Sequence, residues 1–470
     1  MWGTIQDKKV VKKFMPYLLA TAIFMQMLDS TILNTAIPAI AADLNESTYN
    51  MQSAIVSYVL TLALFIPVSG FLADRFGTKR IFILSLFVFS LGSLFCAMST
   101  SLILLDISRV IQGLGGALMT PVGRLAMIKT FPKNELVEAM NYAIMPALIG
   151  PILGPLIGGY LVEIVSWHWI FLINIPMGLI GILFAIKYMP DYREKNPKLD
   201  VVGFLIFGSA SILLSVGLEL MGHSSSFTIV SIVIVIGFLM LYFYYRHAKK
   251  NNNALFPLNL FEIRTFRIGI VGNLLTRLGI SSIPLLVPLL IQLEYGASAS
   301  TSGWIIAPMA LASLSTKPFV VTIIDRFGYR NILTFNTVLL GILISTLAIP
   351  SIHMSIYWYI PVLVLMGILN SVQFTAMNSI TVSNLRDHQN SSGNSLLSVN
   401  QQLAIGFGIA IGLTTLQIMQ ETEWISHGDT HRGFQVTFVF IGCMTVLSAL
   451  VFRRLHESDG ENLKSKRVNA

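Results

Sequence analysis

The sequence predicts an all-α polytopic membrane protein of about fourteen transmembrane helices. Three observations carry that prediction. Apolar runs long enough to cross a bilayer recur along nearly the whole of the 470 residues. Only 11% of residues are charged, where a soluble chain carries about 25%. The basic residues that do occur fall on one side of the spans they separate.

Spans are expected near 14–38, 52–72, 81–99, 102–123, 139–161, 169–188, 201–221, 227–245, 267–292, 303–323, 332–350, 357–380, 393–417 and 433–452. The connections justify them in order. Lys8, Lys9, Lys12 and Lys13 precede the first, and Arg75, Lys79 and Arg80 divide the second from the third. Arg124, Lys129 and Lys133 follow the fourth; Lys187, Arg193, Lys195 and Lys198 follow the sixth. Arg246, Lys249, Lys250, Arg264 and Arg267 separate the eighth from the ninth. Arg326 and Arg330 follow the tenth, Arg386 the twelfth, and Arg453, Arg454, Lys464, Lys466 and Arg467 the fourteenth. All but four of the 31 Lys and Arg residues thus lie on one face, the exceptions being Arg109, Arg277, Lys317 and Arg432. That bias orients both termini toward the cytoplasm. It also accounts for the net charge of +8 as a topology signal that meets anionic lipid, and not as a nucleic-acid patch.

The first apolar run lacks a small-residue cleavage site and reads as a mature span. Cys96 and Cys443 both lie in apolar runs, so neither a disulfide nor a metal site is expected from them. The connections are too short to hold a soluble domain. No GxxxxGK[ST] phosphate loop is present, so any transport energy would come from an ion gradient. No nucleophile–base set is apparent, and the eight His are scattered, so an enzyme is not expected.

Ala73-Asp74-Arg75-Phe76-Gly77 and Ile324-Asp325-Arg326-Phe327-Gly328 match over four consecutive residues, and each follows the second span of a six-span half. The expected organisation is an N-terminal six-helix half over 1–198, two extra helices and a linker over 199–265, and a C-terminal half with its tail over 266–470. Such parallel repeats, with a substrate site between them, are a known secondary-transporter plan.

Intramembrane charge marks the candidate site. Asp29 sits in an apolar run with no basic residue between Phe14 and Asp74. A carboxylate there costs about 2.5–3.5 kcal/mol or more and usually marks an ion, proton or substrate path. Asn34 follows on the same helix. Arg109 stays protonated and needs a partner; Asp106, three residues earlier, is on the same helical face and could neutralise it. Gln112 lies one turn further. Gly150 and Gly154 form a small-xxx-small face, and Pro151 and Pro155 are expected to kink that helix. Gly70 would permit close helix approach, whereas Val321 stands at the matching place in the second copy. Asp74 would cap a helix or pair with a neighbouring cation. Arg277 is a permanent cation inside the ninth span and would suit an anionic substrate; Lys317 would snorkel to the cytoplasmic surface. Tyr58, Trp304, Asn370, Gln373 and Gln401 are further candidates for the substrate cavity.

Several of these segments resemble the major facilitator superfamily, and within it the fourteen-spanner drug:proton antiporters. Gly70-Phe71-Leu72-Ala73-Asp74-Arg75-Phe76-Gly77-Thr78-Lys79-Arg80 resembles the family's loop 2–3 motif, and Leu105-x-x-x-Arg109-x-x-Gln112-Gly113-x-Gly115 its fourth-helix motif. Gly150-x-x-x-Gly154-Pro155-x-x-Gly158-Gly159 resembles the antiporter motif. The Asp29 segment and Trp167-His168-Trp169-Ile170-Phe171-Leu172-Ile173-Asn174-Ile175-Pro176 resemble motifs of the fourteen-spanners. The resemblance implies a proton-coupled exporter of the bacterial inner membrane, a monomer without cofactor or metal that handles small molecules. Its expected gate comprises Gly70, Asp74, Arg75, Gly77, Lys79 and Arg80, with Asp325, Arg326 and Gly328 in the second copy. Arg109 would couple to the proton carrier, and Gly150 to Gly159 would set export. Multidrug efflux is the first expectation. A dedicated exporter of an anionic metabolite or metal chelate, such as citrate or iron-citrate, is the alternative that Arg277 favours.

Overall fold

The computed structural model describes residues 8–194, 199–222, 227–251, 253–386, 389–427 and 429–463. Lys195, Lys198, Lys464, Lys466 and Arg467 of the basic face lie outside them, as does the expected domain end at 198. The described residues are helical and contain no strand. Among the described residues, thirteen helical stretches are long and apolar enough to cross a membrane. The remaining expected span, the eleventh, forms a helix of 18 residues, Tyr329–Thr346, whose polar start, Tyr329-Arg330-Asn331, dilutes its apolar stretch.

The chain divides into two compact units, Met1–Leu199 and Asp200–Ala470. The N-terminal unit contains α1 (Lys8–Ile32), α2 (Ile37–Asp43), α3 (Gln52–Phe76), α4 (Thr78–Ala97), α5 (Leu102–Thr130), α6 (Lys133–Ala147), α7 (Gly150–Ile164), α8 (His168–Leu172) and α9 (Asn174–Tyr188). Within it α1 packs on α5, α6, α7 and α9, and α4 and α3 pack on α5. The C-terminal unit contains α10 (Val201–Gly222), α11 (Phe227–Lys250), α12 (Arg264–Ile280), α13 (Ile283–Leu293), α14 (Ala299–Phe327), α15 (Tyr329–Thr346), α16 (Tyr359–Val382), α17 (Asn390–Glu421), α18 (Glu423–Ser426) and α19 (Thr430–Phe452). The two extra helices, α10 and α11, pack on each other, and α10 also packs on α17.

Small residues make the closest contacts, as expected where lipid offers no hydrophobic drive and dispersion decides. A Cβ on Gly92 would stand 2.5 Å from Gln112 Cα, which sets α4 against α5. One on Gly341 would stand 2.6 Å from the Gly442 carbonyl, which sets α15 against α19.

Several spans are interrupted. The first passes through a 3-10 turn at Leu33–Thr35 before α2. The fifth breaks at Leu148 and Ile149, ahead of Pro151 in the first turn of α7. The expected kink is therefore a break just before Pro151, while Pro155 lies within α7. The ninth breaks at Ser281 and Ser282, before Pro284. Proline has no N–H to donate, so it fits the first turn of a new helix where that donor would be unsatisfied anyway.

Asp200 anchors the start of α10. Its carboxylate accepts from Gly203 N at 3.0 Å, Leu255 N at 3.1 Å and His247 Nε2 at 2.8 Å. Burial acts to raise this carboxyl, but the bonds from Gly203, His247 and Leu255 outweigh it and hold the group below its ordinary value.

Candidate functional site

Asp29 and Arg109 meet. The helix pattern places Asp29 on the α1 face that packs against α5, and both side chains are almost wholly enclosed, at 0% and 1% exposure. Arg109 Nη1 lies 2.7 Å from Asp29 Oδ2. Gln112, one turn beyond Arg109, donates from Nε2 to Asp29 Oδ1 at 2.7 Å and accepts from Arg109 Nη1 at 2.6 Å. Asn174, the first residue of α9, donates to the same Oδ1 at 3.1 Å. Ser93 of α4 accepts from both amides, at 2.7 and 3.3 Å. Arg109 Nε donates to the Ala54 carbonyl at 3.1 Å, and its guanidinium carbon lies 4.1 Å from the Tyr58 ring centroid. Five helices thus converge on one ion pair, with three donors on one carboxylate. Such a pair stands only while both partners are present, because removing one strands a buried charge.

Of the two acids that the sequence offers to Arg109, Asp29 is the one hydrogen-bonded to it; Asp106 accepts from Ser53 Oγ at 3.0 Å. Tyr58 and Gln112, both candidates for the substrate cavity, are fully buried beside the ion pair. Sequence reasoning missed Asn174 and Ser93 as partners. The available signal was an amide at Asn174 inside an apolar span, beside Pro176.

The glycine-rich α7 lies on the stretch of α1 that carries Asp29. A Cβ on Gly150 would stand 3.1 Å from Leu28 N, one on Gly154 3.1 Å from Ile32 N, and one on Gly158 2.5 Å from the Ile32 carbonyl. Thr35 Oγ1 donates to the Pro155 carbonyl at 3.4 Å, and Gly159 and Asn34 are buried nearby in sequence. The seam thus locks the backbone around Asp29 on its own side.

The loop 2–3 segment is held by the chain after α9. Asp74 pairs with Lys129 at 3.0 Å, and Lys129 also pairs with Glu194 at 2.9 Å. Glu194 N donates to the Asp74 carbonyl, Thr78 N to the Tyr192 carbonyl, and Lys79 N to Asp191 Oδ1. Gly77 has φ +102° and Gly328 φ +77°, a region that favours glycine, so the repeat extends to backbone geometry. Arg75 lies 5.7 and 5.5 Å from the Phe71 and Phe76 rings, and Arg326 lies 5.6 Å from Phe327. Arg80 is exposed beside Leu84 and Phe87. The second copy lacks the ion pair: among the described residues Asp325 has no ion-pair partner, and Arg330 pairs with Glu457. Gly70 makes no close approach, since an added Cβ there would meet nothing within 4 Å.

The C-terminal candidates divide. Gln373 is fully buried and donates to Thr337 Oγ1 at 2.7 Å while accepting from Asn336 at 2.9 Å, so it ties α16 to α15. Arg277, on α12, is half-buried and stacks on Phe374 of α16 at 3.8 Å from the ring centroid. Gln401 donates to Asn378 at 2.9 Å. Trp304 and Lys317 are exposed, and Asn370 is partly buried.

The model of the Major Facilitator Superfamily matches residues 19–202, 199–409 and 269–469. The chain belongs to that superfamily. It is 42% identical to the "Probable transport protein HsrA" of Haemophilus influenzae over 95% of this chain and 96% of that one. It is 43% identical to the "Putative multidrug resistance protein MdtD" of Pectobacterium atrosepticum, over 93% and 95% of the two chains. Among solved structures it resembles a peptide transporter POT in complex with sulfate, with a TM-score of 0.71, 13% identity, and 98% and 100% of the two chains covered. A bacterial homologue of the lysosomal transporter Spinster gives 0.67 at 14% identity over 98% and 99%. At these identities the solved structures speak for the fold alone. This superfamily member is a multi-pass transport protein of small molecules and not an enzyme.

Proposed function

We propose that the chain is a proton-coupled exporter of drug-like molecules in the bacterial inner membrane, working by alternating access as a monomer with both termini cytoplasmic. The observation that carries this reading is the enclosed Asp29–Arg109 pair beneath the glycine seam of α7. Protonating Asp29 removes the attraction that holds Arg109, so one proton changes how five helices are tied together. A ligand that favours one arrangement then competes with the proton across two states. The named multidrug resistance relatives support drug efflux, and the one-sided basic residues support the orientation. On the same reading, residues 1–198 and 266–470 are the two rocking halves, and the Asp74–Lys129–Glu194 contacts, all within the first half, brace the loop 2–3 gate segment.

One inward proton gains about 2.3 kcal/mol per 100 mV, which covers the cost of about 1.4 kcal/mol for a tenfold gradient of a neutral substrate; one-for-one exchange with a monovalent cation cancels the voltage term and leaves the pH gradient to drive it. The test uses everted vesicles with an acid interior and a pH-sensitive dye. Adding a substrate drug should release protons from wild-type vesicles and not from vesicles carrying Asp29→Asn. Equal release from both would remove Asp29 as the proton carrier.

A further inference from the structure

Arg109 and Arg277 are both arginines in spans, yet their surroundings differ. Arg109 is closed off and meets a carboxylate at 2.7 Å. Arg277 is half-buried, and no carboxylate among the described residues lies within ion-pair distance. Its Nε donates to Asn273 Oδ1 at 2.7 Å, one turn back on α12. The guanidinium lies flat enough on Phe374 to bring its carbon within 3.8 Å of the ring centroid. Asn273 Nδ2 donates to Asn378 Oδ1 at 3.1 Å, and Gln401 Nε2 donates to that oxygen at 2.9 Å. Three helices, α12, α16 and α17, therefore fix one guanidinium by its inner nitrogen and one face.

This arrangement leaves donors unused. No described residue accepts from Arg277 Nη1 or Nη2, nor from Asn378 Nδ2, whose oxygen is already committed to Asn273 and Gln401. A planar fork of two N–H groups matches a carboxylate or phosphate edge bidentately. The stacked ring and neutral amides orient the cation without neutralising it, and an uncompensated cation at membrane depth is costly.

We propose that Arg277, with Asn378 and the Phe374 face, forms an oxyanion subsite in the C-terminal unit that takes the carboxylate of an amphipathic anionic substrate. The proposal rests on the chain's being a transporter but not on its coupling to protons. It makes Arg277 a specificity-determining residue, and it extends the substrate range to molecules that carry a carboxylate.

The test measures thermal unfolding of the full chain in zwitterionic-lipid nanodiscs, with naphthoate and with uncharged naphthamide. Naphthoate should stabilise the wild type and naphthamide should not. Arg277→Gln should weaken naphthoate binding by about tenfold or more, and Arg277→Lys should weaken it less. Asn378→Asp supplies a carboxylate from within, so it should raise the unfolding temperature without ligand and abolish the naphthoate response. This second variant keeps the idea testable if Arg277→Gln fails to fold. Unchanged naphthoate affinity in either variant, or equal binding of the amide, overturns the proposal. If anionic-lipid nanodiscs abolish the naphthoate response in an Arg277-dependent way, the occupant is a lipid headgroup and the substrate assignment falls. No proton gradient is present, so loss of this binding and loss of antiport are read separately.

Discussion

The enclosed ion pair makes a quantitative prediction. Asp29→Asn leaves Arg109 in a buried site without a counter-ion, its neutral acceptors being Gln112 Oε1 and the Ala54 carbonyl. Arg109→Gln leaves Asp29 with Gln112 and Asn174 as donors but no cation. Breaking one side of a buried pair costs about 3–5 kcal/mol, so each single variant should lose that much. The double variant strands no charge. It retains the packing loss of a shortened side chain at 109, about 1–3 kcal/mol for a poorly filled site. The two singles should therefore overshoot the double by about 3 kcal/mol or more, in the range of close charge pairs measured elsewhere. Equilibrium unfolding in mixed micelles of dodecyl sulfate and maltoside gives all three values. Additivity within about 0.5 kcal/mol would refute the reasoning, because it would mean that the two charges do not depend on each other.

Other consequences are more local. Gly158→Ala should destabilise by about 1–3 kcal/mol, since its Cβ would meet the Ile32 carbonyl, which is backbone and cannot swing aside; Gly70→Ala should stay within about 0.5 kcal/mol, and thermal unfolding of the pair separates the two. Lys129→Met removes a cation shared by Asp74 and by the more exposed Glu194, so it should cost only about 1 kcal/mol or less, and a loss several times larger by the same assay would show that the contacts act as one network. The lowered Asp200 carboxyl contributes stability that is fully present above the ordinary carboxylate value, declines as pH falls below that value, and is gone once pH has fallen through the lowered one. Asp200→Asn should therefore be less stable than wild type at neutral pH and converge with it in strong acid, which a pH series of unfolding midpoints checks.

The sequence carried the architecture because lipid leaves a chain few options: a span must be apolar, about twenty residues long, and helical. Asp29 and Arg109 were legible for the same reason, as charges where none is cheap. Their coupling was legible only as something the family resemblance implied, and their direct contact was not. Asp106 sits one turn from Arg109 and offered a local neutraliser, while Asp29 is 80 positions away and arrives through the packing of α1 on α5. Gly70 misled in the opposite sense. Its motif suggested close packing, yet what the loop demands of glycine is the positive φ at Gly77 and Gly328. The Lys129–Glu194 contact was hidden because Glu194 lies beyond the last span of its half, in a stretch that reads as a simple linker.

The two halves repeat a backbone and not a chemistry. Both keep the Asp-Arg-Phe-Gly loop with its positive-φ glycine, yet among the described residues only the first encloses a salt bridge. The position offset from Arg109 by the repeat spacing is Ile360. In the second half the polar bonds linking α15 to α16 run through Asn336, Thr337 and Gln373, all neutral. A membrane potential acts on net charge, so protonation in the first half responds to it and an amide network does not. If the proton is carried at Asp29, as we propose, the driving force enters through the N-terminal half. Arg277 keeps its charge throughout the cycle, since arginine does not lose its proton in proteins. It can select an anion but cannot itself carry the proton. On these two proposals, binding and driving chemistry sit on different halves.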